Sequence, residues 1–188
     1  MGSGFETEVK IPISSAGDVM DRLHSAALHV IKPRIFEANT LYDTPDQSIR
    51  KQSAILRIRE VGDSTIVTWK GRGEAGPHKR RAEIETKVGS RDVLHEIFGQ
   101  LGFAPVFRYE KYRTEFAPSS PPSPRVVTVD ETPIGDFLEI EGPGEWIDQM
   151  ASQLGFTSKD YVLESYGALY LADCRRRGVQ PTNMVFRS

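Results

Sequence analysis

The stretch Phe5-Glu6-Thr7-Glu8-Val9-Lys10-Ile11 places a charged residue at every second position. In a β-strand, successive side chains point to opposite faces of the sheet. One face of this strand would therefore carry Glu6, Glu8 and Lys10, and the other would carry Phe5, Thr7, Val9 and Ile11. Taken alone, such a strand is typical of a sheet whose charged face lies in water.

Pairs of like charge at the same spacing recur on other candidate strands: Arg57 and Arg59, Glu83 and Glu85, Lys111 and Arg113, and Glu139 and Glu141. If exposure to water alone selected these positions, charged and uncharged polar residues would mix freely. Like charges side by side repel, so these pairs cost free energy unless groups of opposite sign lie between them. The recurrence therefore indicates one shared, charged face.

Length and composition are typical of a single globular domain: the chain has 188 residues, of which 38% are hydrophobic and 27% are charged. The net charge of −2 gives no indication of a nucleic-acid or membrane partner. One cysteine, Cys174, allows no intramolecular disulfide, and no apolar run reaches the length of a membrane span. We expect a cytoplasmic protein with one domain at residues 1–177 and a tail at residues 178–188.

Alternation, turn signals and helical periodicity predict about eight strands and about four helices. The strands are predicted at residues 5–13, 34–43, 53–61, 64–70, 79–88, 107–116, 125–130 and 137–141. Helices are predicted after a cap at Ser14 or Ser15 to about residue 28, after Ser90 to residue 101, and at residues 145–154 and 166–177. Residues 117–124, rich in proline and serine, are predicted to form a loop.

Because the strands follow one another through short turns, we expect antiparallel pairing, and about eight such strands can close around a small ligand. The predicted fold is α+β: a single closed eight-stranded antiparallel β-barrel with helices packed outside. The helices would cover Val9, Ile11, Ile58, Ile84, Leu138 and Ile140. The helix after Ser90 would pack through Val93, Leu94, Ile97, Phe98 and Leu101. The charge pairs would then face the interior.

A charged interior requires water or a matching polyion, because burying an unpaired ion costs several kcal/mol. The bases of the predicted inner face are Lys10, Arg57, Arg59, Lys70, Lys111 and Arg113. The acids are Glu6, Glu8, Glu83, Glu85, Asp130, Glu139 and Glu141. Such bases suit a phosphate chain and clustered carboxylates suit Mg²⁺ or Mn²⁺, a combination that serves phosphoryl or nucleotidyl transfer. The alternative is that these charges neutralise one another as structural ion pairs.

The order of these motifs resembles the CYTH family, also called triphosphate tunnel metalloenzymes. The similarity begins with the Glu-x-Glu-x-Lys motif at residues 6–10 and extends over residues 5–172. The motifs that follow are Leu56-Arg57-Ile58-Arg59, Thr68-Trp69-Lys70-Gly71, Glu83-Ile84-Glu85, Glu110-Lys111-Tyr112-Arg113, Val127-Thr128-Val129-Asp130, Gly135-Asp136-Phe137-Leu138-Glu139-Ile140-Glu141 and Ser165-Tyr166. Each motif is weak alone, whereas the ordered set is specific.

The resemblance implies a tunnel that binds the triphosphate of a small-molecule substrate. The residues implied to bind triphosphate are Lys10, Arg57, Arg59, Lys70, Lys111 and Arg113. The implied ligands of Mg²⁺ or Mn²⁺ are Asp130, Glu139 and Glu141, with Glu6 and Glu8 for a second ion. Catalytic roles are implied for Glu6, Glu8 and Lys10. Glu83, Glu85 and Arg81 would belong to the tunnel wall without an assigned role. Lys79, Arg80 and Arg81 fit an ion-paired wall or surface as well as they fit phosphate ligands.

Residues 101–113 and 130–141 look closest to the class IV adenylate cyclases, the CyaB branch, which implies conversion of ATP to cyclic AMP and pyrophosphate. In that reaction the ribose 3′-hydroxyl attacks the α-phosphorus. The alternative enzyme is a triphosphatase acting on inorganic tripolyphosphate, thiamine triphosphate or a nucleoside triphosphate, with water as the nucleophile. A third alternative is a non-catalytic module that binds polyphosphate or nucleotide. The tunnel motifs do not separate the two enzymes, and they leave a homodimer open.

Overall fold

The computed structural model describes residues 2–119 and 124–187, which contain eight β-strands, five α-helices and one 3₁₀ helix. The strands are β1 (Gly2–Ile13), β2 (Leu28–Asp43), β3 (Ile55–Val61), β4 (Ser64–Lys70), β5 (Lys79–Val88), β6 (Ala104–Pro118), β7 (Val126–Thr132) and β8 (Gly135–Glu141). The helices are α1 (Ala16–Ser25), α2 (Ser48–Lys51), α3 (Arg91–Gln100), α4 (Gly144–Gln153) and α5 (Tyr166–Arg177), and the 3₁₀ helix is Ser158–Asp160. None of these helices is long and apolar enough to cross a membrane. Part of the predicted loop, residues 120–123, lies outside the described residues.

The strands form one closed barrel in the order β1-β5-β4-β3-β2-β6-β7-β8, and every neighbouring pair is antiparallel. Closure gives every strand a neighbouring strand on both sides, so the barrel has no edge strand. The predicted α+β fold, a closed eight-stranded antiparallel barrel with helices outside it, is confirmed.

Strand β1 shows how the alternation of side chains sets inside and outside. Val9 and Ile11 are fully buried in the outer core. They pack there with apolar residues of β7 and β8, with Leu23 of α1 and with Ile147 of α4. Lys10, which lies between them in sequence, points to the opposite face and lines the interior of the barrel. The helices therefore seal the apolar face and leave the charged face inside, as the sequence pattern predicts.

Two predictions about the outer face are wrong. Ile84 is 54% exposed instead of covered by a helix. Helix α3 buries Phe98 and partly buries Leu94 against Tyr42 and Ile58. The residues of its predicted packing side that remain exposed are Val93, Ile97 and Leu101. The apolar stripe of α3 is wider than the contact that one helix makes with a convex barrel wall, so three of its five residues face water.

Strand β2 begins earlier than predicted, because Lys32-Pro33 does not end it. The pairing of β2 with β6 shifts register between Val30 and Lys32 and again between Lys32 and Ile35. Proline has no N–H to donate, and strands tolerate it at such irregularities. The short helix α2 is absent from the prediction. Asp43 stabilises its start by accepting hydrogen bonds from the backbone N–H groups of Ile49 and Arg50 at 2.9 and 3.0 Å.

The segment after Gly178 packs against the barrel. β7 pairs with β6 only from Tyr112 onward, which leaves the earlier half of β6 without a strand on that side. Met184 forms a parallel bridge with Tyr109: its N–H donates to the carbonyl of Arg108 and its carbonyl accepts from Glu110 N–H. The Met184 side chain is 1% exposed. This segment therefore supplies hydrogen-bond partners to Arg108 and Glu110 in that half of β6 and adds to the core.

Candidate active site: a charged tunnel

The barrel encloses a tunnel of about 70 Å³ whose lining is mostly charged. Of the predicted site residues, those that line it are Glu6, Glu8, Lys10, Arg57, Arg59, Lys70, Arg81, Lys111, Arg113, Glu139 and Glu141. Asp130, Glu83 and Glu85 do not reach the open space and instead contact bases that do. The structure thus brings the predicted residues of seven strands to the tunnel or to the bases that line it.

Antiparallel register decides which charges face each other. Lys10 lies opposite Glu139 across β1 and β8, and Lys70 lies opposite Glu83 across β4 and β5. Lys10 Nζ is 3.1 Å from both Glu8 Oε1 and Glu139 Oε1. Burial alone would lower the pKa of Lys10, but Glu139 and Glu8 together raise it above its ordinary value. Lys10 is therefore held as a buried cation.

Lys70 and Arg81 share a second cluster with Glu6. Lys70 Nζ lies 2.6 Å from Glu6 Oε2 and 3.2 Å from Glu83 Oε1, and Arg81 Nε lies 3.4 Å from Glu6 Oε2. Lys79, from the same strand as Arg81, places its Nζ 3.1 Å from Glu8 Oε1. Lys79 and Arg81 thus belong to the tunnel wall, whereas the neighbouring Arg80 stacks on Phe5 outside it. The sequence alone left these three positions undecided.

Asp130 is fully buried and accepts hydrogen bonds from three side chains. Arg113 Nε donates to Oδ1 at 2.6 Å, and Lys111 Nζ and the Tyr166 hydroxyl donate to Oδ2 at 2.9 and 2.6 Å. The Tyr166 ring also lies 5.3 Å from the Nζ atoms of both Lys10 and Lys111. Burial and the negative charge of Asp130 raise the pKa of Tyr166 well above its ordinary value, so the hydroxyl keeps its proton.

The sequence prediction gives no role to Glu37, Tyr109 or Tyr166, all of which contact predicted site residues. Glu37 on β2 is 3% exposed and lies 3.7 Å from Lys111 Nζ and 3.8 Å from Arg59 Nη1. Tyr109 accepts a hydrogen bond from Arg57 Nη1 at 3.3 Å. None of these residues belongs to a like-charged pair. The alternation of inward and outward side chains along a strand was the only sequence signal that could have placed Glu37 and Tyr109 on the inner face.

Glu8 and Glu141 lie directly opposite each other across β1 and β8. Burial and the nearby carboxylates of Glu6 and Glu8 raise the pKa of Glu141 to about 7. In the part of the chain that the structure describes, the side chain of Glu141 has no hydrogen bond or ion pair. Lys10, Lys70, Lys79 and Arg81 offset the charge of Glu6 and Glu8, so an ionised Glu141 is the unpaired carboxylate of this corner among the described residues.

The predicted metal ligands differ in how well they fit a hard cation. Within residues 2–119 and 124–187, no group of three or more His, Cys, Asp or Glu side chains is arranged to hold a metal ion. Carboxylate oxygens are nevertheless the donors that Mg²⁺ and Mn²⁺ prefer, and Glu141, whose side chain has no base in contact among the described residues, lies beside Glu6 and Glu8. These residues fit a cation by chemistry, provided that their lysine contacts open. Asp130 and Glu139 are occupied by basic partners, and their role as metal ligands stays a prediction.

Comparison with known proteins places the chain in a family. The family model described as "CYTH domain" matches residues 4–166. The chain belongs to the CYTH family. A Methanocaldococcus jannaschii protein named "Putative adenylate cyclase" is 28% identical over 160 residues, which cover 85% of this chain and 84% of that protein.

Solved structures share the CYTH barrel at lower identity. A Vibrio parahaemolyticus protein described as a candidate adenylate cyclase has a TM-score of 0.76 at 20% identity, covering 90% of this chain and 98% of that one. A Hippeastrum protein, described as a candidate adenylyl cyclase with a dominant triphosphatase activity, has a TM-score of 0.60 at 14% identity, covering 94% and 97%. At these identities the comparison bears on the fold alone.

Proposed function

We propose that this CYTH protein is a metal-dependent enzyme that acts on a triphosphate substrate in its tunnel, converting ATP to cyclic AMP and pyrophosphate. The observation that carries the proposal is the convergence of six bases on one narrow tunnel: Lys10, Arg57, Arg59, Lys70, Lys111 and Arg113. Lysine and arginine at this density match the charge of a triphosphate chain, and arginine can bind phosphate oxygens in pairs. The M. jannaschii relative, by its name, supports the choice of a cyclase.

In the proposed reaction, the ribose 3′-oxygen forms a bond to the α-phosphorus while the bond from that phosphorus to the bridging oxygen breaks. Pyrophosphate leaves with the electron pair, and a tunnel carboxylate takes the hydroxyl proton. The bases hold the leaving group. Lys10 serves as a fixed cation and not as a proton acceptor, because Glu139 and Glu8 raise its pKa.

Mg²⁺ or Mn²⁺ would be held by the carboxylates of Glu6, Glu8 and Glu141, with Glu139 and Asp130 as further candidates. When bound, the ion supplies positive charge that stabilises the negative charge developing on phosphate oxygens. The tunnel residues themselves orient the chain of phosphates and keep it away from water. The ion pairs that now cross the tunnel would exchange their partners for phosphate and cation.

The second candidate function is hydrolysis of a triphosphate in the same tunnel. It is supported by the Hippeastrum neighbour, which is described as having a dominant triphosphatase activity. In that reaction water replaces the ribose hydroxyl as the nucleophile, and the same bases hold the phosphates. A product assay distinguishes the two: with ATP and either Mg²⁺ or Mn²⁺, a cyclase forms cyclic AMP, whereas a triphosphatase releases orthophosphate from ATP or tripolyphosphate.

Two variants test the assignment of the tunnel. Glu139→Gln is expected to abolish metal-dependent turnover while the fold is retained, and surviving activity would contradict the metal assignment. Arg57→Ala is expected to weaken capture of tripolyphosphate, and Arg34→Ala is its control, since Arg34 lies in an exposed ion pair with Glu131. Retained binding without any turnover would instead favour a non-catalytic module.

A further inference from the structure

Asn39 on β2 is a polar residue of the barrel interior that belongs to no charge pair. It shares its face of β2 with Leu41, which lines the tunnel, and with Glu37, which contacts tunnel bases. Side chains two apart on a strand point the same way. Asn39 is also fully buried, at 0% exposure. Its side chain therefore points into the barrel and not toward the helices outside.

The amide of Asn39 has no hydrogen-bond partner. Neither its Nδ2 nor its Oδ1 bonds to any group within residues 2–119 and 124–187. Buried amides are nearly always paired, because burying one without a partner costs folding free energy. The buried Nε atoms of Arg57 and Arg59, on the adjacent strand β3, lack a hydrogen-bond partner among the same residues. An acceptor that reached this side of the interior would therefore meet donors on both strands.

The surroundings of Asn39 favour an anion. Asn39 lies opposite Arg59 across β2 and β3, and opposite Tyr109 across β2 and β6. Residues in such positions have Cβ atoms about 4.5–5.5 Å apart, so both are direct neighbours of the amide. Burial alone would raise the pKa of Tyr109, but Arg57, Lys111 and Arg59 lower it below its ordinary value. Positive charge therefore dominates at this point of the interior.

We propose that Asn39 is a further triphosphate-binding residue, whose Nδ2 donates a hydrogen bond to a phosphate oxygen. This inference rests on the proposed function. Arg59 and Tyr109, which flank Asn39, both line the tunnel, so the amide lies one side chain away from the open space. Arg59 Nη1 is 3.8 Å from Glu37 Oε1. A phosphate that draws Arg59 away from Glu37 gains access to the amide behind it.

An uncharged donor differs from the tunnel bases in what it must give up. Lys70, for example, has to leave Glu6 before it can bind phosphate. Asn39 leaves no partner, so its hydrogen bond to phosphate is gained without breaking another. The cost of the unpaired amide falls instead on the stability of the ligand-free protein. Removal of the amide should therefore change binding and stability in different ways.

The first test is Asn39→Leu, which replaces the amide by an apolar side chain of similar size. The Kd for tripolyphosphate, measured by calorimetry under conditions without turnover, is expected to rise by roughly tenfold or more, the loss of one hydrogen bond to a charged group. The urea midpoint of the ligand-free protein is expected to stay the same or rise, because the unpaired polar atoms are gone. An unchanged Kd, or a lower midpoint, would overturn the inference.

The second test is Asn39→Asp, which keeps the size and an acceptor oxygen but removes the donor. Its Kd for tripolyphosphate is expected to rise at least as much as that of Asn39→Leu, because a carboxylate repels phosphate. Arg59 lies opposite and offers the new carboxylate a base, so this variant is expected to fold. If Asn39→Asp bound tripolyphosphate as the unaltered protein does, the amide would act as an acceptor that positions Arg59, and the proposed donor role would be wrong.

Asn183→Leu is the matched control. Asn183 is exposed, and its Oδ1 accepts a hydrogen bond from the backbone N–H of Arg108 at 2.8 Å. Its replacement is expected to lower the urea midpoint and to leave the Kd unchanged, the reverse of Asn39→Leu. An equal rise in Kd for both variants would overturn the inference.

Arg57→Ala separates this inference from the proposed function. If Arg57→Ala left capture of tripolyphosphate intact, the proposed function itself would fail. If Arg57→Ala weakened capture while Asn39→Leu did not, the role of Asn39 alone would fail.

Discussion

Glu37 provides a test of the tunnel's electrostatics, because its pKa depends on the bases around it. No like-charged pair in the sequence includes this residue. Burial alone would raise the pKa of its carboxyl group, but Lys111, Arg59 and neighbouring arginines outweigh burial and lower the pKa from 4.5 to about 2. The ionised carboxylate is therefore more stable in the folded protein than in the unfolded chain. The Glu37→Gln substitution removes the charge and keeps the shape.

The expected loss of stability follows from linkage. A pKa lowered from 4.5 to about 2 corresponds to about 3 kcal/mol of folding free energy at pH 7. Because the folded-state pKa is depressed, this contribution is complete above the unfolded pKa and is lost as the pH falls through the folded one. It should shrink to about 2 kcal/mol at pH 3.5 and about 1 kcal/mol at pH 2.5.

Urea unfolding of Glu37→Gln and the unaltered protein at pH 7 and pH 3.5 measures this difference. Glu131→Gln is the control, because Glu131 pairs with an arginine whose side chain is 52% exposed, and such surface pairs contribute about 0–1 kcal/mol. The substitution also frees Arg59 and Lys111 of a counter-charge, so tripolyphosphate should bind more tightly. A stability change that is absent, or equal at both pH values, would refute this account of Glu37.

Three further substitutions probe other parts of the molecule. Glu141→Gln should stabilise the protein by up to about 3 kcal/mol at pH 8 and not at pH 4. The reason is that a folded-state pKa raised to about 7 makes the stability of the unaltered protein fall as the pH rises from 4.5 to 7. Thermal unfolding without divalent metal measures the change, and an equal change at both pH values would contradict the prediction. Tyr166→Phe removes the hydrogen bond to Asp130 and should cost about 1.5–3 kcal/mol in urea unfolding, whereas a loss under about 0.5 kcal/mol would contradict its role. Met184→Ala should cost about 2–5 kcal/mol, far more than truncation of the exposed Val179, if the C-terminal segment completes the core.

Strand parity explains why so much of the tunnel follows from sequence. Once β1 has an apolar and a charged face, the helices cover the apolar side and the charged side turns inward. The same reasoning assigns Arg57 and Lys111 without knowledge of the fold's details. The ends of the strands were harder to predict from the sequence. Strand β2 continues through Pro33, because a register shift accommodates the missing N–H.

Contacts that depend on strand register or on relative strand length could not be predicted from the sequence. Nothing in the sequence shows that Glu8 faces Glu141, since that pairing depends on how far β1 slides along β8. Met184 can pack against β6 because β6 is longer than β7, and the polar composition of the tail did not indicate this contact. The exposed stripe of α3 has a similar cause, because periodicity gives the width of an apolar face and not the area available to cover it.

The ion pairs of the tunnel do not decide between a structural and a ligand-binding role for its charges. Lys70 illustrates why, as it contacts both Glu6 and Glu83. A phosphate that takes Lys70 leaves the buried Glu6 carboxylate with Arg81 as its remaining base, and this loss of pairing costs free energy unless a cation replaces the lysine. The same network thus neutralises itself when closed and favours joint entry of polyphosphate and metal when open. A tunnel that exchanges its ion pairs for ligands needs this neutralisation, because the paired charges can stay buried in the folded protein until both ligands bind.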